Sequence, residues 1–308
     1  MKIGWFLLGD SNVGSSRIHG LNIHQELMRK GYDSRIIQSS NPWSSELEIT
    51  KLKKLGLLIS GYDVFVFQKV FDSGAVKFAA LARSLGVKTV FVQSDFIKTD
   101  MTLAVDHVVV VSSYLKDKLD NLYGINCTVI DDAIENIHLE NKKHHSGNYL
   151  RLIWIGHSDN WKSLSILNSV IEKFSNQNIE LITVSNHPDA TFAWSNGAAK
   201  TAILNSDLAV IPSELDDWAK CKSSNRLTTF MSYGLPVIAS PVPSYSDIII
   251  HGKTGFIANL DSEWVEYIKR LQCPELRNKI GSAAKASVSD KFSLSKITED
   301  WIKLFKYL

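Results

Sequence analysis

The stretch Lys222-Ser-Ser-Asn-Arg226 places two cations and three small polar side chains directly before an apolar set at i, i+3 and i+4, namely Leu227, Phe230 and Met231. That spacing predicts a short helix with one buried face. Ser223 or Ser224 is expected to cap it, a side-chain oxygen accepting one of the unpaired first-turn N–H groups. Gly234 supplies a left-handed residue past the helix end, and Pro236 prevents its continuation. Val237-Ile-Ala239 then reads as an interior parallel strand. A helix start carrying Lys222 and Arg226 can hold an anion, because free N–H groups, helix dipole and side-chain charge act in the same sense. Taken alone, the stretch also fits an ordinary capped helix of any α/β protein.

Further polar residues follow predicted strands. After one of them, Gly156-His157-Ser158-Asp159-Asn160-Trp161-Lys162 lets the backbone turn at Gly156 and sets Lys162 where it could reach a phosphate or simply be solvated. Ser185, Asn186 and His187, before Pro188, suit either a nucleobase or ribose rim or a plain turn. Glu214 and Asp217, near Lys220 and Lys222, make a surface salt network or a pocket for sugar hydroxyls. None of these groups has metal-ligand spacing, so no metal is expected. Earlier in the chain, Gly9-Asp-Ser-Asn-Val-Gly14-Ser15-Ser16-Arg17 follows the first strand without matching a dinucleotide or Walker fingerprint. Asp95, closing Gln93-Ser-Asp95, is a candidate acid, base or hydroxyl ligand, or a helix cap.

The elements that would position these residues repeat one grammar twice. The 308 residues carry 44% apolar side chains, a net charge of +2 and three scattered cysteines. That balance suits a soluble cytosolic protein, gives no pointer to nucleic acid, and contains no run near the roughly 20 apolar residues that span a bilayer. Strands are predicted at Ile3–Leu8, Ser34–Gln38, Asp63–Gln68, Lys88–Gln93, His107–Ser112 and Cys127–Ile130, spaced by helices such as Ser16 to about Lys30. Residues 135–148, with Lys142-Lys-His-His145, lack periodicity and read as a solvated linker. The alternation resumes with strands at Arg151–Gly156, Ile179–Val184, Leu208–Ile211, Val237–Ala239 and Phe256–Ala258, with a helix from Lys162 to about Ser175 among the connections. Helices from Asp261, Glu275 and Leu294 complete it. The fold class is therefore α/β, two Rossmann-like domains over 1–140 and 149–290 that face across a cleft. Ligands of such sheets bind beyond the carboxyl ends of the strands.

Ser206-Asp-Leu-Ala-Val-Ile-Pro-Ser213, the Lys222–Pro236 segment, Pro-Val-Ile-Ala-Ser240 and Ile250-His-Gly-Lys-Thr-Gly-Phe256 resemble the C-terminal half of GT-B glycosyltransferases, the retaining family 4 group most of all. Tyr62-Asp-Val-Phe-Val-Phe, Val111-Ser112-Ser113 and Val129-Ile-Asp-Asp-Ala-Ile-Glu135 agree with its N-terminal half. The resemblance covers nearly the whole chain, including a C-terminal helix, 294–308, that returns to the N-terminal domain in this fold. It implies a metal-independent transfer of a sugar, hexosyl in kind, from a nucleotide-sugar donor. The acceptor would be a saccharide or a lipid-linked glycan, as in surface polysaccharide or glycoconjugate synthesis. The donor is a substrate, and no cofactor is implied. Lys162 matches the family's diphosphate lysine, while His157 stands near its arginine position. Aligning on Tyr233-Gly-Leu-Pro236 puts Cys221 and Thr229 where the family carries two glutamates. Lys222, Ser223, Ser224, Asn225 and Arg226 are then expected on the diphosphate, with Glu214 or Asp217 on the sugar and the Gly14–Arg17 loop on the acceptor side.

Leaving-group charge would be stabilised by these cations and helix-end N–H groups. If the reaction inverts, Asp95 is the expected general base. Domain closure about 135–148 would exclude water. A nucleotide-sugar epimerase and a non-catalytic GT-B binding module are the competing readings. Arg17, Arg29, Lys30, Arg35, Lys51, Lys53 and Lys54, with Trp43, Leu55 and Leu57, could touch an anionic membrane at its inner face, or form a solvated helical face.

Overall fold

Short runs of β-branched and aromatic residues alternate with amphipathic helices, and in a computed structural model they assemble into two six-stranded sheets whose neighbouring strands all run parallel. The structure describes residues 1–39, 59–95, 97–135, 142–147 and 149–308. Trp43 and the Lys51–Leu57 group of the membrane expectation lie outside them. Two units result: Met1–Glu135 with Cys221–Ser223 and Phe292–Leu308, and Asn136–Lys220 with Ser224–Lys291.

In the first unit, β1 (Lys2–Leu7), β2 (Asp33–Ser39), β3 (Val64–Gln68), β4 (Lys88–Gln93), β5 (His107–Val110) and β6 (Cys127–Val129) take the order β2-β1-β3-β4-β5-β6. Both faces of the inner strands are buried, so β1, β3, β4 and β5 are apolar on successive residues, whereas the edge strand β2 (DSRIIQS) is largely exposed and polar. One face stacks Phe6 on Phe67, ring centroids 4.9 Å apart, with Phe78 of helix α2 (Ser73–Ser84) edge-on to Phe6. The other face carries Trp5, Val66 and Val92. Helix α1, Gly14–Arg29, and the C-terminal helix, Leu294–Tyr307, cover it. Trp301 meets Trp5 edge-to-face at 5.5 Å, so the C-terminal helix belongs to the first unit, as the resemblance implies. Each such buried aromatic contributes about 1.5–3 kcal/mol relative to exposure. Helix α1 contains a π-helical turn at Arg17–Leu21 that periodicity did not predict. Helices α3 (Thr99–Ala104) and α4 (Ser113–Tyr123) complete this unit's connections.

The second unit orders β7 (Leu150–Ile155), β8 (Ile179–Ser185), β9 (Phe192–Ala193), β10 (Leu208–Ile211), β11 (Val237–Ala239) and β12 (Phe256–Ile257) as β12-β11-β10-β7-β8-β9. Its helices are α5 (Ser165–Glu172), α6 (Asn196–Asn205), α7 (Asp217–Lys220), α8 (Asn225–Ser232), α9 (Pro243–Ser246), α10 (Asp261–Arg270) and α11 (Pro274–Val288); the C-terminal helix is α12. The expected helix from Lys162 to Ser175 is instead a 3₁₀ turn, Ser158–Leu164, leading into α5. Gly234 ends α8 at φ +74°, as the left-handed stop requires. Helices α8 and α11 approach so closely there that a Cβ on Gly281 would lie 2.0 Å from the Gly234 carbonyl oxygen.

In the described part of the expected solvated linker, Lys143 and 145–147 are exposed, but Lys142 and His144 are tied into the second unit. Asn278 accepts from the His144 N–H and donates to its carbonyl, while Lys142 Nζ donates to the Ile203 and Leu204 carbonyls at the end of α6. His144 is buried, and its Nε2 lies 3.1 Å from the Gly234 oxygen, so the ring proton sits on Nε2. Nδ1 is buried without a partner, and burial pushes the imidazole from 6.5 down to about 4. The unfolded chain therefore takes up this proton first. Stability contributed here is complete above about pH 6.5 and is lost as the pH falls toward 4. Melting temperatures across that interval should decline less steeply in His144→Gln than in the parent; equal slopes would remove His144 as the cause.

Candidate functional site

The carboxyl ends of β7, β8 and β10 bring together most of the residues singled out in the second unit. Gly156 follows β7 outside the left-handed region, so the sharp turn expected of it is not why a glycine stands there. A Cβ would lie 2.5 Å from the buried Trp154 ring, and that close approach is the reason. The Ser158 N–H donates to Asn186 Oδ1 at 2.8 Å, which turns the Asn186 amide so that Nδ2 meets His157 Nε2 at 3.1 Å. His157 Nδ1 accepts from the Asp159 N–H at 3.3 Å and lies 3.2 Å from the Asp159 carboxylate. Ser185 Oγ accepts from the His187 N–H, and the His187 ring stacks on Trp161 with centroids 4.0 Å apart and planes 4° from parallel. Trp161, which spacing did not mark, also packs edge-on against Trp154.

Lys162 and Glu214 meet at 2.6 Å on the surface, joining the predicted phosphate lysine to the predicted sugar carboxylate. The hydrogen bond that the ammonium donates to Glu214, together with the carboxylate's charge, raises Lys162 above its ordinary value. Asp217 opens α7 in solvent. The Ser213 N–H donates to Ser240 Oγ across the ends of β10 and β11. Beside them opens a cavity of about 480 Å³ lined by Ser165, Ser213, Leu215, Ser240, Asn259 and Asp261.

Helix α8 begins differently from the capped helix expected. Ser224 is at the N-cap position but its side chain makes no cap bond, and its buried Oγ has no partner. Ser223 does not cap either: its Oγ donates to Asp132 Oδ2 at 2.6 Å, within the first unit. The Asn225 amide nitrogen is likewise buried and unpartnered. The Arg226 guanidinium lies 5.9 Å over the Trp154 ring. Lys222 groups with the first unit, and so does Cys221, which is buried in the aromatic core there. Thr229 is in mid-α8.

In the first unit, Gly14, Ser15 and Ser16 start helix α1. Ser16 Oγ accepts from the Gly9 N–H and donates to Gln68 Oε1. Arg17 grips Glu135 with Nε and Nη2, at 2.5 and 2.9 Å. Asp95 is not a helix cap. It has φ +76°, and its carboxylate is 2.5 Å from Lys69 Nζ, itself at φ +53°. Two non-glycine residues in the left-handed region, ion-paired at the ends of adjacent strands, hold about 1–2 kcal/mol of strain each. Nothing in the sequence signals Lys69. His19 is buried on the π turn with Nε2 3.0 Å from Asp132 Oδ1.

Two doubly wound parallel units with this topology make a GT-B fold. Residues 131–272 match the family model described as glycosyl transferases group 1. Three solved structures share the fold over essentially the full length of both chains. They are Anabaena Alr3699/HepE in complex with UDP and glucose (TM-score 0.74, 15% identity, 100% of each chain), a glycosyltransferase from Rickettsia africae ESF-5 (0.77, 15%, 99% of this chain and 98% of that one), and sucrose-phosphate synthase from Thermosynechococcus elongatus (0.73, 14%, 100% and 98%). No curated protein matches the sequence. Among the described residues no helix is long and apolar enough to cross a membrane.

Proposed function

We propose that this chain is a glycosyltransferase whose second unit holds a nucleotide-sugar donor. The observation that carries the reading is the start of α8, where buried, unpartnered Ser224 Oγ and Asn225 Nδ2 accompany Arg226 inside the matched region. Buried polar atoms are normally satisfied, and a diphosphate would satisfy these. Arg226, Lys222 and Lys162 then take the negative charge that develops as the anomeric bond breaks, with no metal required of them. Lys162 exchanges Glu214 for a phosphate oxygen, and Glu214 and Asp217 turn to sugar hydroxyls. The Ser185–His187 rim with Trp161 takes the base or ribose. UDP-hexoses are the first donors to try, since a fold relative holds UDP and glucose. The acceptor is a saccharide or lipid-linked glycan of surface polysaccharide or glycoconjugate synthesis, met at the Gly14–Arg17 loop of the first unit, with peripheral contact to the membrane carrying it. Retention of configuration, which the resemblance implies, would have to proceed with Cys221 and Thr229 in place of the family's glutamates.

Incubating the chain with UDP-, GDP- and dTDP-sugars, with and without oligosaccharide acceptors, tests this. Acceptor-dependent release of nucleoside diphosphate is expected with at least one donor. Saturable donor binding without turnover would instead mean a binding module, and C-epimerised donor would mean an epimerase.

A further inference from the structure

A second cavity of the second unit, about 290 Å³, opens beside Leu150 and Ile179, the first residues of β7 and β8. The candidate donor residues follow the far ends of the same strands, a strand length or roughly 20 Å away. Ser146, Tyr149, Gln177, Asn178 and Gln272 give the cavity a polar rim, and Arg277 of α11 forms part of its wall.

Arg277 is only 3% exposed, and its charge is incompletely matched. Nη1 donates to the Leu271 and Gln272 carbonyls just past α10, and Nη2 donates to the His145 carbonyl. The Nε–H is buried without a partner. Asp207 Oδ1 is 3.8 Å from Nη2, beyond hydrogen-bond reach. That carboxylate is also shared, since Oδ2 accepts from the Arg151 N–H and its charge acts on the Lys142 ammonium as well. Two cations therefore draw on one carboxylate, while Glu275 is exposed at the surface. Burial pushes the Arg277 guanidinium below its ordinary value, and Asp207 offsets that only in part. A buried guanidinium without a hydrogen-bonded counterion attracts an anion strongly.

We propose that this cavity binds a small hydroxylated carboxylate, a sugar acid by chemical class, with its carboxylate on Arg277 and its hydroxyls on the polar rim. Nε and Nη2 make up the side-on edge by which Arg17 holds Glu135 in the first unit, and in Arg277 that edge keeps an unspent N–H. A planar carboxylate meets such an edge with two oxygens, and its single charge balances the one excess cation. Gln272 Nε2 donates to Gln177 Oε1, which leaves a donor on Gln177 and an acceptor on Gln272. With Ser146, Tyr149 and Asn178, this mixture suits hydroxyls, each of which both gives and takes a hydrogen bond. The volume is at the low end of the roughly 300–1,000 Å³ of small-molecule sites, so the ligand is of monosaccharide size.

Calorimetric titration of the full chain with glucuronate tests this, with glucose and glucose 6-phosphate as comparators. Glucuronate should bind saturably, and glucose, which lacks the charge, at least about tenfold more weakly. Glucose 6-phosphate, whose dianion exceeds the one spare cation, should also bind more weakly. Gln177→Ala and Asn178→Ala alter exposed rim residues, so each should weaken glucuronate several-fold while the melting temperature of the free protein stays put. Arg277→Gln should abolish binding; if that variant loses its cooperative melt, the two rim variants carry the test. Arg226→Ala should bind glucuronate as the parent does, which keeps this site separate from the donor site and from the transferase reading. No saturable binding by about 10 mM glucuronate, equal binding of glucose, tighter binding of glucose 6-phosphate, an affinity unmoved by both rim changes, or its loss in Arg226→Ala would each overturn the assignment.

Discussion

Arg226→Ala should lower kcat/KM for the sugar nucleotide by roughly 10²–10³, about 2.7–4 kcal/mol of transition-state stabilisation, the cost typical of removing one preorganised charge-stabilising donor. The guanidinium is in the first turn of α8, beside two buried polar atoms without partners and over the Trp154 ring. Packing on the ring orients the side chain before any ligand arrives, so little ordering is left to be done on binding. Arg226→Lys should recover only part of the loss. A lysine keeps the charge but not the planar fork that meets two phosphate oxygens at once, nor the stacking on tryptophan. Equal damage to kcat/KM in both variants, with melting temperatures unchanged, would mark the fork as essential. Turnover near that of the parent in Arg226→Ala would remove Arg226 from the donor site.

The largest effect on stability is expected from Gly281→Ala. The added methyl would stand 2.0 Å from the Gly234 carbonyl oxygen, against backbone rather than against the end of a movable side chain. Helices α8 and α11 must therefore separate, and forced overpacking of this kind costs about 1–3 kcal/mol or more. For units of this size that is roughly 2–12 °C in melting temperature. The same separation pulls the Gly234 carbonyl from His144, so the acid sensitivity described above should change with it. Gly197→Ala is the control, since nothing lies within 4 Å of a Cβ there. Equal melting temperatures for the two variants would show that the helix crossing yields at no cost.

What could be read from the chain alone followed local physics. Apolar runs such as Val64–Gln68 and Leu208–Ile211 are strands because both of their faces are covered, and Gly31, Gly86, Gly124 and Gly234 all adopt the left-handed stops that helix ends favour. Features set by distant partners were not legible. His144 looked like part of a polar linker because Gly234 and Asn278, which bury it, are far away in sequence. Ser223 looked like a cap because its true partner, Asp132, belongs to the loop after β6. Lys69 and Asp95 carry positive φ without being glycine, so no residue type announced the strain. Short helices, Thr99–Ala104, Asp217–Lys220 and Pro243–Ser246, are too brief for a period to show. At the site, cations after strands were visible as candidates, whereas the pairing of Lys162 with Glu214 and the stacking of Trp161 on His187 depend on how β7, β8 and β10 lie side by side.

The edge-to-face meeting of Trp5 and Trp301 sets an order of events during synthesis. Trp5, Val66 and Val92 leave the ribosome early, but the helix that shelters them, Leu294–Tyr307, is made only after Asn136–Lys291. At about 5–20 residues per second that is a delay of roughly 8–30 s during which an apolar sheet face waits uncovered. The second unit has its own hydrophobic core in hand before then, so it is expected to mature first although it is encoded later. A nascent chain stalled ahead of Leu294 should accordingly be a client for hydrophobic-face chaperones through its N-terminal half.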